Sequence, residues 1–254
     1  MQSVLLLTFT AALALAADAP YVGKWKMNAS KSDFGETTVT IAAGASGEMR
    51  FTVDGQSYTF KMDGKDYPGL FGQTVAWKQI DANTWETLDK LNGKVLSTDR
   101  TTLSADGKTV TVNTKGPKPD GGVMDDTAVY QRVSGGPGLA GKWKTRKFNS
   151  SAPSVLELAP SGADGVKFSI VDFKLVCDAR LDGKDYPCTG PTLAPGWTMS
   201  LKRSGPRGLE ITDKENGKPL YQMTMTVSAD GKTLTEVGGA IGTGEKMKVV
   251  YDRQ

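Results

Sequence analysis

Gly23-Lys-Trp-Lys26 recurs in the chain as Gly141-Lys-Trp-Lys144. Further matches follow in the same order along the 254 residues: Asp63–Pro68 with Asp182–Pro187, Asn92–Lys94 with Asn216–Lys218, Ser104–Thr109 with Ser228–Thr233, and Val129–Arg132 with Val250–Arg253. Such a colinear series indicates a tandem repeat. The Gly-rich stretch between the copies predicts a first domain over residues 20–133, a linker over 134–140 and a second domain over 141–254.

Asp-Gly and Asn-Gly pairs punctuate both repeats, and segments of alternating polar and apolar residues flank several of them, as in 58–62, 109–113 and 166–170. These pairs are the strongest short-range signal for a β-hairpin. No segment beyond the N-terminal stretch carries a long apolar stripe of helical period. The pattern therefore predicts an all-β protein of two tandem up-and-down antiparallel β-barrels, each of about eight strands, since closure removes open sheet edges.

The composition excludes several classes of function. The chain has no histidine, which removes the histidine-based nucleophile systems and metal sites that need imidazole. Its net charge is +3 without a concentrated basic segment, so we expect no nucleic-acid partner. We also expect no cofactor, and the chain to be a monomer.

The N-terminus has the pattern of an export signal. An apolar stretch from Val4 to Ala16 is too short to cross a bilayer and leads into small residues, which predicts a signal peptide over 1–17. We therefore expect a secreted or periplasmic protein without a membrane span.

Cys177 and Cys188 are the two cysteines of the chain, and Asp182-Gly183 lies between them. A turn there would bring the two arms of a hairpin together, and an exported protein favours pairing of its thiols. We predict one disulfide, the alternative being two buried free thiols.

Each repeat carries a Gly-x-Trp near its start and a Tyr-x-Arg near its end. This pairing resembles the calycin superfamily of lipocalins, fatty-acid-binding proteins and avidins, and the chain is also similar to exported bacterial lipocalin-like proteins of unassigned function. The resemblance implies that the tryptophan closes one end of a barrel and that an arginine of the last strand packs across it. Carried onto this chain, Trp25 is expected to meet Arg132, and Trp143 to meet Arg253. The Arg-x-Tyr clamp of fatty-acid-binding proteins is absent, because Ala128 and Val249 stand at that position.

Aromatic residues are the candidates for lining a ligand cavity. They are Phe51, Tyr58, Phe60, Trp77 and Trp85 in the first repeat, and Phe168, Phe173, Trp197 and Tyr221 in the second. The alternative is that these side chains fill the core, as large aromatics commonly do. Aligning the repeats sets Trp77 against Leu201 and Trp85 against Leu209, so two hollow barrels would bind different ligands.

Two pairs of acidic residues raise the question of glycoside hydrolysis: Asp63 with Asp66, and Asp182 with Asp185. We expect them to lie in tight, solvated hairpin turns, which provide neither a cleft nor an apolar setting for a catalytic acid. No acidic segment has the alternating pattern of a calcium loop, so no metal site is predicted.

These observations favour a secreted, non-enzymatic binding protein whose two lipocalin-like barrels take small apolar or amphipathic ligands. The alternative is an exported module that recognises a protein or glycan with its outer surface and whose barrels are filled by side chains. An enzyme is the third hypothesis, and a deep cleft with two carboxylates of divergent pKa would favour it. Enclosed empty volume would separate the first two hypotheses.

Overall fold

A computed structural model describes residues 19–35, 37–150 and 154–254. The predicted signal peptide lies outside these residues. The chain is all-β, as predicted, and its only described helices are 3-10 turns at Ala29–Lys31 and Ala45–Gly47. The first ten strands are β1 (Gly23–Met27), β2 (Thr38–Ala43), β3 (Met49–Val53), β4 (Gln56–Phe60), β5 (Asp63–Pro68), β6 (Thr74–Asp81), β7 (Thr84–Leu91), β8 (Lys94–Leu103), β9 (Thr109–Pro117) and β10 (Val123–Ser134). The second ten are β11 (Gly141–Ser150), β12 (Val155–Ser161), β13 (Gly165–Ile170), β14 (Leu175–Arg180), β15 (Asp182–Thr189), β16 (Trp197–Arg203), β17 (Gly208–Glu215), β18 (Lys218–Val227), β19 (Thr233–Ala240) and β20 (Met247–Arg253).

The strands form two antiparallel, barrel-like sheets of ten strands each. One is a closed barrel that combines β1 with β12 to β20, and we call it the split barrel. The other contains β2 to β11 in an unbroken run of chain, and we call it the contiguous barrel. Its edge strands are β4 and β5, which follow one another in the chain but are not paired in the described sheet. The predicted closure of both barrels is therefore confirmed for the split barrel and not for the contiguous one. Each barrel has its own buried hydrophobic cluster.

The two sheets do not coincide with the two repeats, so the predicted division into barrels at 20–133 and 141–254 is wrong for the first strand of each repeat. β1 pairs with β12 and β20, whereas β11 pairs with β10 and β2. The linker is short enough for β10 and β11 to form a hairpin, and consecutive strands usually pair because closing a short loop costs little entropy. Once β11 occupies this position, β1 completes the other barrel.

The exchange of first strands reverses the expected tryptophan–arginine pairs. Arg253 lies over the Trp25 ring and Arg132 over the Trp143 ring, each with the guanidinium carbon 4.0 Å from the ring centroid. The expected pairs, Trp25 with Arg132 and Trp143 with Arg253, are wrong. The stacking itself is present twice, and a cation–π contact of this kind contributes about 0.5–2 kcal/mol.

Both barrel ends have the same polar anchoring around the stacked pair. The Trp25 indole N–H donates to the carbonyl of Tyr21 at 2.9 Å, and that of Trp143 donates to the carbonyl of Leu139 at 3.0 Å. Each arginine also donates to three backbone carbonyls, and for Arg132 two of these belong to the linker residues Gly138 and Ala140. The linker is therefore held against the end of the contiguous barrel.

Each barrel has ten strands, more than the predicted eight or so. One source of the difference is the repeated Asp-Gly-Lys-Asp-Tyr-Pro segment, which itself forms strands, β5 and β15. The turn signal itself holds at Asp54-Gly55, Asn92-Gly93 and Asn216-Gly217, where both residues have positive φ as a type I′ turn requires. A wider barrel leaves more interior volume for side chains to fill.

The predicted disulfide is present. Cys177 of β14 and Cys188 of β15 lie opposite each other in the ladder and are bonded, with their Cα atoms 4.3 Å apart. Bridging of an 11-residue separation stabilises the fold by about 2–3 kcal/mol in the chain-entropy model.

A buried ion pair joins the two barrels. Lys118 follows β9 of the contiguous barrel, and its Nζ lies 2.6 Å from a carboxylate oxygen of Asp172 in the β13–β14 loop of the split barrel. The side chains are 6% and 12% exposed. Asp172 also accepts hydrogen bonds from the Ser154 hydroxyl and the Val155 backbone N–H.

Within the described part of the chain, no helix has the length and apolar character needed to cross a membrane.

Candidate functional site

Each barrel contains a partly enclosed cavity. Cavity 1, in the contiguous barrel, has a volume of about 270 Å³, and cavity 2, in the split barrel, about 300 Å³. Cavity 1 is lined by Val39, Ile41, Phe51, Tyr58, Gly69, Leu70, Phe71, Gln73, Val75, Trp77, Thr87, Asp89, Asp99, Thr101, Val110, Val112, Tyr130, Leu139 and Trp143. Cavity 2 is lined by Ser154, Leu156, Phe168, Ile170, Leu175, Cys177, Leu193, Trp197, Met199, Ile211, Asp213, Met223, Glu236 and Tyr251.

Three of the aromatic candidates form one wall of cavity 1. Phe51 and Tyr58 are cross-strand partners on β3 and β4, and their rings stack with centroids 5.1 Å apart. The indole N–H of Trp77 donates to the Tyr58 hydroxyl at 3.2 Å. Phe60 lies behind this wall, stacked on Trp77, and Trp85 is packed in the core of the same barrel. Of the five candidates in the first repeat, Phe51, Tyr58 and Trp77 thus face the cavity and the other two fill the core.

Phe168 and Trp197 line cavity 2, whereas the other two candidates of the second repeat lie elsewhere. The Phe173 ring lies 5.5 Å from the Lys118 ammonium, near the junction of the barrels. Tyr221 donates from its hydroxyl to Asp54 of the contiguous barrel. The two interiors differ in composition, as the repeat alignment predicted.

An aromatic contact joins the linings of the two cavities. Phe71, in the loop between β5 and β6, lines cavity 1, and its ring meets that of Trp197 of cavity 2 edge-on, with centroids 5.6 Å apart. Phe71 adopts a φ of 54°, which is unusual for a bulky residue. Such strain persists only where surrounding structure maintains it, and it is often found at ligand-binding loops.

Two carboxyl groups enter cavity 1 from neighbouring strands. Asp99 of β8 lies opposite Thr87 of β7, and Asp89 of β7 lies opposite Ser97 of β8. The Ser97 hydroxyl donates to Asp89 at 3.2 Å. Burial raises the pKa of Asp99 to about 6, and burial raises that of Asp89 as well. The Oδ1 of Asp99 and the hydroxyl of Thr87 have no hydrogen-bond partner. Thr87 is a buried residue, 3% exposed.

Cavity 2 has a corresponding pair in Asp213 of β17 and Glu236 of β19. Burial raises the pKa of Asp213 to about 7 and raises the pKa of Glu236. The Tyr251 hydroxyl donates to Glu236 at 2.9 Å, while the Oδ1 of Asp213 has no partner. Asp213 stands at the repeat position of Asp89, three residues before Asn-Gly-Lys in both repeats.

These acidic residues are not among the site residues predicted from the sequence. A signal for them exists, because Trp85, Thr87 and Asp89 alternate along β7 and so share its inner face. Their aspartate recurs in the second repeat at Asp213. Alternation predicts apolar residues on the inner face of a strand, so a polar residue at the same inward position of both repeats indicates a candidate site residue.

The acidic pairs of the Asp-Gly-Lys-Asp-Tyr-Pro segments have structural roles instead. Asp63 accepts hydrogen bonds from the Lys65 backbone N–H and the Tyr67 hydroxyl, and Asp66 pairs with Lys90 at 2.7 Å. The second repeat copies this arrangement with Asp182, Lys184, Tyr186, Asp185 and Lys214. The expectation that these residues lie within a tight hairpin turn is wrong, since they begin β5 and β15 with a bulge in the pairing to the next strand. In the second repeat the turn of the β14–β15 hairpin, which brings Cys177 opposite Cys188, comes directly before them at Leu181.

Among the described residues, no group of three or more acidic or cysteine side chains is arranged to hold a metal ion. The chain matches no protein-family model, and no curated protein matches it in sequence. The two cavities are therefore the features of the described residues that bear on its function.

Proposed function

We propose that this protein is a secreted, non-enzymatic binding protein that takes one small apolar or amphipathic molecule into each barrel, in the manner of a lipocalin. The observation that carries the proposal is the presence of an internal cavity in both barrels. Binding sites for small molecules are concave and mostly apolar, with a few polar groups that orient the ligand. Both cavities fit this description.

The cavity volumes limit the size of the ligand. A cavity of about 150 Å³ admits benzene, so volumes of about 270 and 300 Å³ accommodate molecules of roughly a dozen non-hydrogen atoms. This size suits a small aromatic or a short aliphatic molecule and is too small for a long-chain lipid held entirely inside the barrel.

Export is supported by the disulfide between Cys177 and Cys188, since such bonds persist mainly in oxidising compartments. The stacked tryptophan and arginine at one end of each barrel support the resemblance to calycins. The alternative function, recognition of a protein or glycan by barrels with filled interiors, is disfavoured by the empty volume in both.

The buried carboxyl pairs do not favour the enzyme hypothesis. Acid–base catalysis by two carboxyl groups needs environments that keep one protonated and the other ionised. Here burial raises the pKa of both members in each cavity, Asp89 with Asp99 and Asp213 with Glu236. Their pKa values are shifted in the same direction, and no neighbouring cation among the described residues holds one member ionised.

Native mass spectrometry of the mature protein with a panel of small aromatic and aliphatic molecules tests the proposal. We expect up to two ligands per chain. The substitutions Val112→Trp and Ile170→Trp place a large side chain at the wall of cavity 1 or cavity 2, so each should remove one bound ligand and leave the other. Retention of both ligands in the two variants, or no binding by the unmodified protein, would contradict the proposal.

A further inference from the structure

The charged groups that line the two cavities are all acidic. Each contains two carboxyl groups, and none of the described residues that line either cavity is Lys or Arg. Carboxylates accept hydrogen bonds and, when ionised, donate none. The charge presented to a ligand therefore has one sign in both barrels.

Cavity 1 has unsatisfied polar atoms next to each other. Asp99 and Thr87 are cross-strand neighbours, and both the Asp99 Oδ1 and the Thr87 hydroxyl are buried without a partner. Thr87 is 3% exposed and forms part of the cavity wall. Burying a polar group without a partner is unfavourable, so a ligand that supplies the missing hydrogen bonds recovers this free energy.

Cavity 2 presents the same chemistry with different residues. The Asp213 Oδ1 is unpartnered, and Glu236 is 9% exposed with the Tyr251 hydroxyl as its partner. Tyr251 matches Tyr130 of cavity 1 in the repeated Val-Tyr-x-Arg segment. The two cavities thus share one acidic position, Asp89 and Asp213. The second carboxyl group comes from different positions, Asp99 in one barrel and Glu236 in the other.

An apolar, aromatic wall stands alongside each acidic group. Phe51, Tyr58 and Trp77 provide it in cavity 1, and Phe168 and Trp197 in cavity 2. Such a wall favours an aryl or alkyl body, and aromatic faces also attract cations. A ligand carboxylate in the same space would lie near buried acids with no cation to offset it.

From these features we infer that both cavities select a small amphipathic amine, whose protonated nitrogen binds the carboxylates and whose apolar body packs on the aromatic wall. This inference rests on the proposed binding function and specifies its ligand class. An ammonium group donates up to three hydrogen bonds, which suits Asp99 and Thr87 together. Burial without a neighbouring cation is also the reason why the pKa of Asp99 is raised to about 6 and that of Asp213 to about 7.

Three ligands of one shape test the inference: 2-phenylethylamine, 2-phenylethanol and phenylacetate. Binding is measured at pH 8 by isothermal titration calorimetry and native mass spectrometry, because Asp99 and Asp213 are then ionised. We expect the amine to bind at least about tenfold more tightly than the alcohol, a difference of about 1.4 kcal/mol, and phenylacetate not to bind.

The variants Asp99→Asn and Asp213→Asn serve as matched controls for each other. Each should weaken amine binding in its own cavity about tenfold, leave the other cavity unchanged and leave the affinity for 2-phenylethanol within about twofold. A merely structural role of the aspartate would weaken the amine and the alcohol equally, which would overturn the inference. Should either variant fail to fold, the three ligands on the unmodified protein still decide the matter.

The outcomes separate the inference from the proposed function. Equal or tighter binding of the alcohol or of phenylacetate would overturn the selection for amines while leaving the binding function in place. No binding of any of the three ligands, together with no binding in the wider panel, would overturn both.

Discussion

Truncation of Trp25 tests the exchange of first strands between the barrels. The side chain is 0% exposed, its indole N–H donates to the Tyr21 carbonyl, and Arg253 stacks on its ring. Replacing a buried tryptophan by alanine costs about 3–5 kcal/mol. The lost hydrogen bond and the lost cation–π contact of about 0.5–2 kcal/mol place Trp25→Ala at the upper end of that range.

The exchange of first strands determines which strands Trp25→Ala destabilises. β1 completes the split barrel, so Trp25→Ala should reduce the protection of backbone amides in its neighbours β12 and β20, as measured by hydrogen–deuterium exchange with mass spectrometry. Trp143→Ala is the matched control, because Trp143 is 2% exposed and stacks on Arg132 in the same way. It should reduce protection in β2 and β10 instead.

The reasoning is refuted if Trp25→Ala exposes β2 and β10 while β12 and β20 keep their protection. That result would mean that each repeat closes its own barrel. Trp25→Phe, which keeps an aromatic ring but loses the N–H donor, should produce the same regional pattern at a smaller free-energy cost. It provides the measurement if the alanine variant does not fold.

Three other predictions concern stability. Asp172→Asn should lower the free energy of unfolding in urea by about 3–5 kcal/mol because it removes the negative charge that lies against buried Lys118. Asp164→Asn, which removes an exposed pair with Arg180, should cost much less, and equal costs would argue against the buried link. The double substitution Cys177→Ser with Cys188→Ser should lower the free energy of unfolding by about 2–3 kcal/mol. An unchanged urea midpoint would show that the disulfide does not stabilise the fold. The pKa values of Asp99 and Asp213 are raised to about 6 and about 7, so between pH 4 and 7 the folded protein binds more protons than the unfolded chain. The contribution of the two groups to the free energy of unfolding is therefore fully present below about pH 4 and is lost as the pH rises to about 7. Thermal unfolding of Asp99→Asn and Asp213→Asn should depend less on pH between 4 and 7 than that of the unmodified protein, and identical pH profiles would contradict the assignment.

Local patterns in the sequence predict the local structure of this protein well. Alternating residues and Asn-Gly turns depend on neighbouring residues, and they correctly indicate an all-β chain whose hairpins include type I′ turns at Asn92 and Asn216. The disulfide was predictable for the same reason, since Cys177 and Cys188 lie on adjacent arms of one hairpin. The repeated Gly-x-Trp and Tyr-x-Arg segments also indicate a stacked tryptophan and arginine at each barrel end.

The candidate site was predictable only in part. Phe51, Tyr58 and Trp77 line a cavity as an aromatic count suggests, but Phe60 and Trp85 have the same character in the sequence and fill the core. Which of them faces empty space depends on the diameter of the barrel and on packing from strands distant in the chain. The acidic residues were missed because each lies alone in its own strand and only the fold assembles them.

The sequence alone determined that there are two copies of one strand pattern, with a tryptophan at the start and an arginine at the end of each copy. Tertiary structure alone decided which tryptophan meets which arginine. Because β1 and β11 both begin with Gly-Lys-Trp-Lys, the repeat pattern does not show which barrel either strand joins. The short linker makes the difference, since it brings β11 back beside β10 at a small cost in chain entropy and leaves β1 to close the other barrel.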